Sequence, residues 1–127
     1  MKNELEILLV DENLKELDNF SLALNELQIN YLCRYAKNYN AAMELVKKLL
    51  PDYIFIYMPE KNGTDCFREI KRLKAIGNTT VIMFSSKINR SINRKAMRCG
   101  VKECLKKTAK ISELISVLKR IFIVSQN

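Results

Sequence analysis

Short apolar runs and stretches of helical period alternate along the whole chain, and this alternation limits the fold more than any other feature. Leu5-Glu6-Ile7-Leu8-Leu9-Val10 is nearly continuous in apolar residues, as a strand covered on both faces would be. Asp11-Glu12-Asn13 interrupts it, and Leu14, Leu17, Phe20, Leu24 and Leu27 then recur at helical spacing. Ile29 to Tyr35 alternates like a second strand. Asn38 suits the N-cap of a helix carrying Ala41, Ala42, Leu45, Val46 and Leu49, and Pro51 ends that region. Tyr53-Ile54-Phe55-Ile56-Tyr57 reads as a third strand, followed by the turn-rich Met58-Pro59-Glu60-Lys61-Asn62-Gly63. The next helix turns Cys66, Phe67, Ile70 and Leu73 inward and stops at Gly77-Asn78. A fourth strand covers Thr79 to Phe84, with Ser85-Ser86 closing it. A basic helix runs from about Asn89 to Cys99 and ends on Gly100. Val101 to Leu105 is a short fifth strand, and the last helix carries Ile111, Leu114, Ile115, Leu118 and Phe122. Strands alternating with helices imply right-handed βαβ units and a parallel sheet with helices on both faces.

Composition narrows the chemistry. With 127 residues the expectation is a single domain over 1–127, its core about 5–122. There is no His, so a Ser-His-Asp triad, a His general base and a His-ligated metal are all excluded. Cys33, Cys66, Cys99 and Cys104 form no CxxC pair, so reduced core thiols are expected rather than a zinc site or a disulfide framework. No apolar run approaches the ~20 residues of a membrane span, and no signal-peptide pattern opens the chain, so the expected location is the cytoplasm. The net charge of +8 is unevenly placed: residues 1–60 sum to −4 and residues 61–127 to +12.

In a doubly wound sheet, function is expected beyond the carboxyl ends of the strands. Those ends read Asp11-Glu12, Tyr57-Met58-Pro59, Ser85-Ser86 and Lys106-Lys107. Here the sequence resembles the receiver domain of two-component response regulators, of chemotaxis type. Leu8-Leu9-Val10-Asp11-Glu12 matches the family's acidic pair, and Met58-Pro59-Glu60-Lys61-Asn62-Gly63 matches its Met-Pro-x-x-Asn-Gly turn. Ser85 falls at its Ser/Thr position and Lys107 at its basic residue after strand five. The resemblance covers about residues 5–122 and implies a flavodoxin-like (βα)5 fold with strand order 2-1-3-4-5. It also implies a pocket in which the acidic pair and an Asp at the end of strand three hold Mg²⁺. That Asp takes a phosphoryl group from a histidine kinase, the Lys neutralises the phosphoryl oxygens and the Ser/Thr reorients.

By this resemblance Tyr57, six residues after Pro51, falls where the phosphoacceptor is expected, and the two residues that the family has between it and Met-Pro are absent. A phenol with a pKa near ~10 is neutral at pH 7, forms no acyl phosphate and ligates Mg²⁺ poorly. The expectation is therefore no phosphotransfer, no enzyme activity and no cofactor, with any residual Mg²⁺ at Asp11 and Glu12. Asp52 lies at the wrong end of strand three, roughly 15 Å from Asp11. Glu60 lies in the right loop, but nothing fixes it towards the pocket. A displaced carboxylate acting as phosphoacceptor is the alternative reading. The family's Lys-Pro cis turn meets Thr108 here, so this loop is expected to turn differently. At the family's switch position a ring is replaced by Cys104, too small to swing as an aromatic does. Lys107 is expected to pair with Asp11 where the phosphoryl chemistry would have been.

Lys87, Arg90, Arg94, Lys95, Arg98, Lys102, Lys106, Lys107 and Lys110 face one acid, Glu103. Arg90, Arg94 and Arg98 share one helical face. A charge run is most simply a solvated surface. The family, however, uses the region from helix four to helix five for dimerisation and partner contact. The expected partner is a protein (a histidine kinase, another regulator or a second copy), with a homodimer through the helix 4–strand 5–helix 5 face as one form. Nucleic acid is the lesser alternative, since no aromatic residue interleaves with these bases. No membrane partner is expected, and no glycine-rich phosphate loop supports a nucleotide or flavin binder.

Overall fold

The computed structural model describes residues 4–12, 16–58 and 63–124. Five parallel strands form one sheet in the order β2-β1-β3-β4-β5. The strands are β1 (Leu5–Val10), β2 (Tyr31–Ala36), β3 (Tyr53–Tyr57), β4 (Thr80–Ser85) and β5 (Val101–Lys106). The helices are α1 (Leu17–Glu26), α2 (Tyr39–Leu49), α3 (Gly63–Ile76), α4 (Arg90–Arg98) and α5 (Ile111–Lys119), with a π-helical turn over Arg120–Val124. The order 2-1-3-4-5 is the one the resemblance implied.

Two cores explain why β1, β3 and β4 are nearly continuous in apolar residues. Alternate side chains of a strand point to opposite faces. Ile7, Leu9, Phe55, Ile82 and Phe84 pack with Phe20 and Leu24 of α1 and Leu114 and Leu118 of α5. Leu8, Val10, Ile54, Ile56, Val81 and Met83 pack on the other face with α2, α3 and Ala96 of α4. So α1 and α5 cover one side of the sheet, and α2, α3 and α4 the other. On the first side Phe55 is the hub, its ring centroid 5.0 Å from Phe20, 5.8 Å from Phe122 and 6.1 Å from Phe84.

Local signals set most boundaries. The Asn38 side chain accepts from the Ala41 N–H at 2.8 Å and opens α2, as its residue type suggested. Asn89 does the same for α4, accepting from Ile92 N–H at 2.9 Å. Gly100 takes φ +97° after α4, a conformation that glycine adopts at no steric cost. Three edges shift. β2 starts at Tyr31 rather than Ile29, because Gln28 turns the chain with φ 55°. β4 starts at Thr80, because the buried Thr79 hydroxyl donates to the Pro51 carbonyl at 2.6 Å. The last helix becomes a π turn before Phe122, which keeps Ile121 and Phe122 both in the core. Leu14 and residues 59–62 of the expected turn lie outside the described residues. Among the described residues, no helix is long and apolar enough to cross a membrane.

Candidate functional site at the carboxyl edge of the sheet

Parallel strands bring the ends of β1, β3, β4 and β5 to one edge. β1 pairs with β3 so that Val10 lies opposite Ile56, which sets Asp11 beside Tyr57 one residue further on. β3 pairs with β4 so that Tyr57 lies opposite Phe84, and β5 brings Lys107 next to Ser85 through a Lys107 N–H···O=C Ser85 bond of 2.9 Å. The edge therefore assembles Asp11, Tyr57, Ser85 and Lys107, the residues singled out by the sequence. Asp52 stands at the opposite end of β3, where its carboxylate accepts from the Glu6 N–H at 2.9 Å. Glu60 lies outside the described residues.

Tyr57 dominates this edge. Its side chain is almost fully buried, and its ring stacks on Phe84 with centroids 4.7 Å apart and planes 11° from parallel. Burial pushes the phenol above its ordinary pKa, and the nearby charges of Glu16 and Asp11 push it further the same way. The hydroxyl is therefore neutral at any physiological pH.

Lys107 meets this ring rather than an acid. Its Nζ lies 5.9 Å from the Tyr57 ring centroid, within the range of a cation–π contact. The expected Lys107–Asp11 ion pair does not form among the described residues: Lys107 lies by the ring, and Asp11 serves the start of α1. Asp11 is buried, and its Oδ2 accepts from the Glu16 N–H at 3.2 Å, beside the positive end of that helix. The Tyr35 hydroxyl donates to the Asp11 backbone carbonyl. Glu12 is exposed next to it.

Ser85 is buried and closes its own turn: Oγ donates to the Lys87 carbonyl at 2.8 Å and accepts from the Lys87 N–H at 3.3 Å. Cys104 lies opposite Met83 and packs against the α4-side core, with burial raising its thiol pKa. Burial holds Cys33 and Cys66 up at about 11, so these thiols are protonated and weakly nucleophilic near neutrality. All four cysteines are free thiols. No cis peptide bond occurs among the described residues, the Lys107-Thr108 bond included. Nor do the described residues hold a group of three or more His, Cys, Asp or Glu side chains able to bind a metal ion.

A second feature lies on α4. Arg90, Arg94 and Arg98 are exposed along one face and, with Asn93 and Met97, line an open depression of about 480 Å³. Met97 is 51% exposed, an apolar side chain set among the guanidinium groups. Lys102 and Lys106 extend the positive surface along β5. The one acid of this region is already engaged: Arg120 clamps Glu103 with N···O distances of 2.6 and 3.2 Å. That fork escaped the sequence reading because its partners are 17 residues apart and follow no local pattern. Among the described residues, no ion pair neutralises Arg90, Arg94, Lys95, Arg98, Lys102 or Lys106.

Comparison with known proteins agrees with this geometry. The family model of the response regulator receiver domain matches residues 7–119. The chain is 30% identical over 88 residues to the chemotaxis protein CheY of Thermotoga maritima, covering 68% of this chain and 72% of that protein. Among solved structures, a response regulator from Thermotoga maritima superposes with a TM-score of 0.80 at 19% identity, covering 94% of this chain and 98% of that one. The receiver domain of the putative response regulator NarL from Mycobacterium tuberculosis gives 0.75 at 20% identity, over 94% and 97%. These structural likenesses establish the common fold.

Proposed function

The chain belongs to the response regulator receiver domain family of two-component signalling, and from that premise we propose that it works by protein contact alone, without taking up a phosphoryl group. The observation that carries this reading is the Tyr57 ring, buried at the end of β3, stacked on Phe84 and approached by Lys107. An acyl phosphate needs a carboxylate, and this neutral phenol offers none. The surroundings support the same reading. Lys107 faces a ring where it would otherwise neutralise phosphoryl oxygens. Ser85 spends its hydroxyl on its own turn. Cys104 has no ring to swing. Such a domain has one resting arrangement, and its output is set by who binds it.

Mg²⁺ fits this edge poorly. The ion demands near-octahedral oxygen ligands, whereas the described residues supply one buried carboxylate that already accepts a helix N–H and one exposed neighbour, Glu12. No step of the proposed function uses it.

The binding surface in this proposal is the α4 face, and its partner is an acidic protein segment: a kinase, another regulator or a second copy. Unpaired Arg side chains around an exposed Met suit a helix or strand bearing carboxylates and one apolar side chain. A labelled poly-glutamate peptide tests this. It should bind, weaken when salt is raised and lose about tenfold in affinity with Arg94→Glu. Acetyl phosphate with Mg²⁺ should leave that affinity unchanged. A phosphodonor-dependent affinity would overturn the proposal.

A further inference from the structure

The molecule carries its own complement to the α4 face. On α1, Asp18, Leu22 and Glu26 recur at i, i+4 and i+8, all exposed, with Leu22 56% exposed. On α4, Arg90, Arg94 and Arg98 recur at the same spacing beside the exposed Met97. At ~1.5 Å per residue each row spans roughly 12 Å, so the two rows match in length. One is acid–apolar–acid, and the other is basic with an apolar neighbour. Among the described residues, neither Asp18 nor Glu26 forms an ion pair, and the three arginines form none either.

Two of these charges work against the helices that bear them, whereas Asp18 in the first turn of α1 and Arg98 in the last turn of α4 suit theirs. Arg90 stands at the amino end of α4, where the helix dipole favours an acid, and the first turn holds no acid. Glu26 stands at the carboxyl end of α1, where the dipole favours a base, and the last turn holds none. Local stability therefore explains neither residue. Laid antiparallel, the two helices would remedy both faults at once: Arg90 would face Glu26, Arg98 would face Asp18, and Leu22 would meet the Met97 side of the depression.

One molecule cannot make this contact with itself. α1 covers the Phe55 side of the sheet and α4 the Ile54 side, so their outer faces point to opposite sides. A two-fold dimer centred on α4 would bring Arg94 towards Arg94, and α4 itself carries no acid to separate them. The uneven charge has the same sense, with −4 in residues 1–60 and +12 in residues 61–127. The net charge of +8 opposes association at long range, but at physiological salt the Debye length of ~8 Å leaves the local pairs in control.

We infer that the α4 face binds the α1 face of a second copy, head to tail and antiparallel, so that copies add in an open chain rather than close as a dimer. This deepens the proposed function and rests on α4 being the binding surface.

Glu26→Lys and Arg90→Glu test it. Each substitution puts the charge that the dipole favours at its helix end, so each variant should fold at least as stably as the parent chain. Sedimentation equilibrium of the parent should show a mass that rises with concentration past that of a dimer. Each variant alone should associate at least about tenfold more weakly. An equimolar mixture should regain association, because the introduced lysine of one variant would then face the introduced glutamate of the other. A parent chain that stays monomeric at every concentration overturns the inference. So does association that Glu26→Lys leaves unchanged. Poly-glutamate binding to the Glu26→Lys variant separates the two proposals: retained binding with lost self-association is the expected pattern. Loss of peptide binding in the parent chain would remove the α4 premise itself.

Discussion

Replacing Tyr57 with Ala should lower the unfolding free energy by about 3 kcal/mol, the lower end of the cost of emptying a buried aromatic site. The ring is 4% exposed and lies flat on Phe84 at 4.7 Å, so its removal leaves a void at the sheet edge and exposes the Phe84 face. It also strands Lys107, which loses the ring beneath its ammonium group. Tyr57→Phe should cost less than ~1 kcal/mol, because it keeps the stack and removes a hydroxyl that makes no hydrogen bond to the described residues. Urea unfolding measures both, with the slope expected to stay constant. An Ala variant within ~1 kcal/mol of the parent would mean that the ring packs loosely and does not plug the edge.

A larger loss is expected from Phe55→Ala, about 4–5 kcal/mol. Phe55 is fully buried and touches the rings of Phe20, Tyr53, Phe84 and Phe122, so one truncation unpacks β3 from α1, β4 and the π turn together. Aromatic pairs add ~0.5–1.5 kcal/mol each beyond burial, which places this site above a solitary core Phe. Against a typical domain stability of ~5–15 kcal/mol, the variant should be partly unfolded at modest urea or only slightly elevated temperature. Since Tyr57 and Phe55 lie on the same side of the sheet and share Phe84, the double substitution should fall short of the sum. An additive result would argue that the two rings belong to separate packing units.

The fold was legible because its signals are periodic. Leu5 to Val10 and Tyr53 to Tyr57 could be assigned from apolar runs, and the start of α2 from the N-capping chemistry of Asn38. Strand order did not follow from periodicity and came through the family likeness of the strand ends. At the edge, sequence spacing placed Asp11, Tyr57, Ser85 and Lys107 together, because in a parallel sheet every strand ends on the same side. It did not foretell which of them touch. Whether Lys107 meets a carboxylate or a ring depends on how the side chains pack at the edge, and spacing carries no record of volume. The Arg120–Glu103 fork and the Tyr35 hydroxyl on the Asp11 carbonyl are contacts between remote segments and were equally invisible. The basic row on α4 was plain from the sequence, but the matching acidic row on α1 became meaningful only once both proved exposed and unpaired.

The central claim is that Tyr57 leaves this edge without a phosphoryl acceptor and that no carboxylate elsewhere takes over that role. Intact-mass measurement after incubation with acetyl phosphate and Mg²⁺ addresses it most directly, with a receiver that retains the acceptor Asp run in parallel. The account predicts that the control gains one phosphoryl group while this chain keeps its unmodified mass. A gain of one phosphoryl group on this chain, mapped to any Asp or Glu, would contradict it.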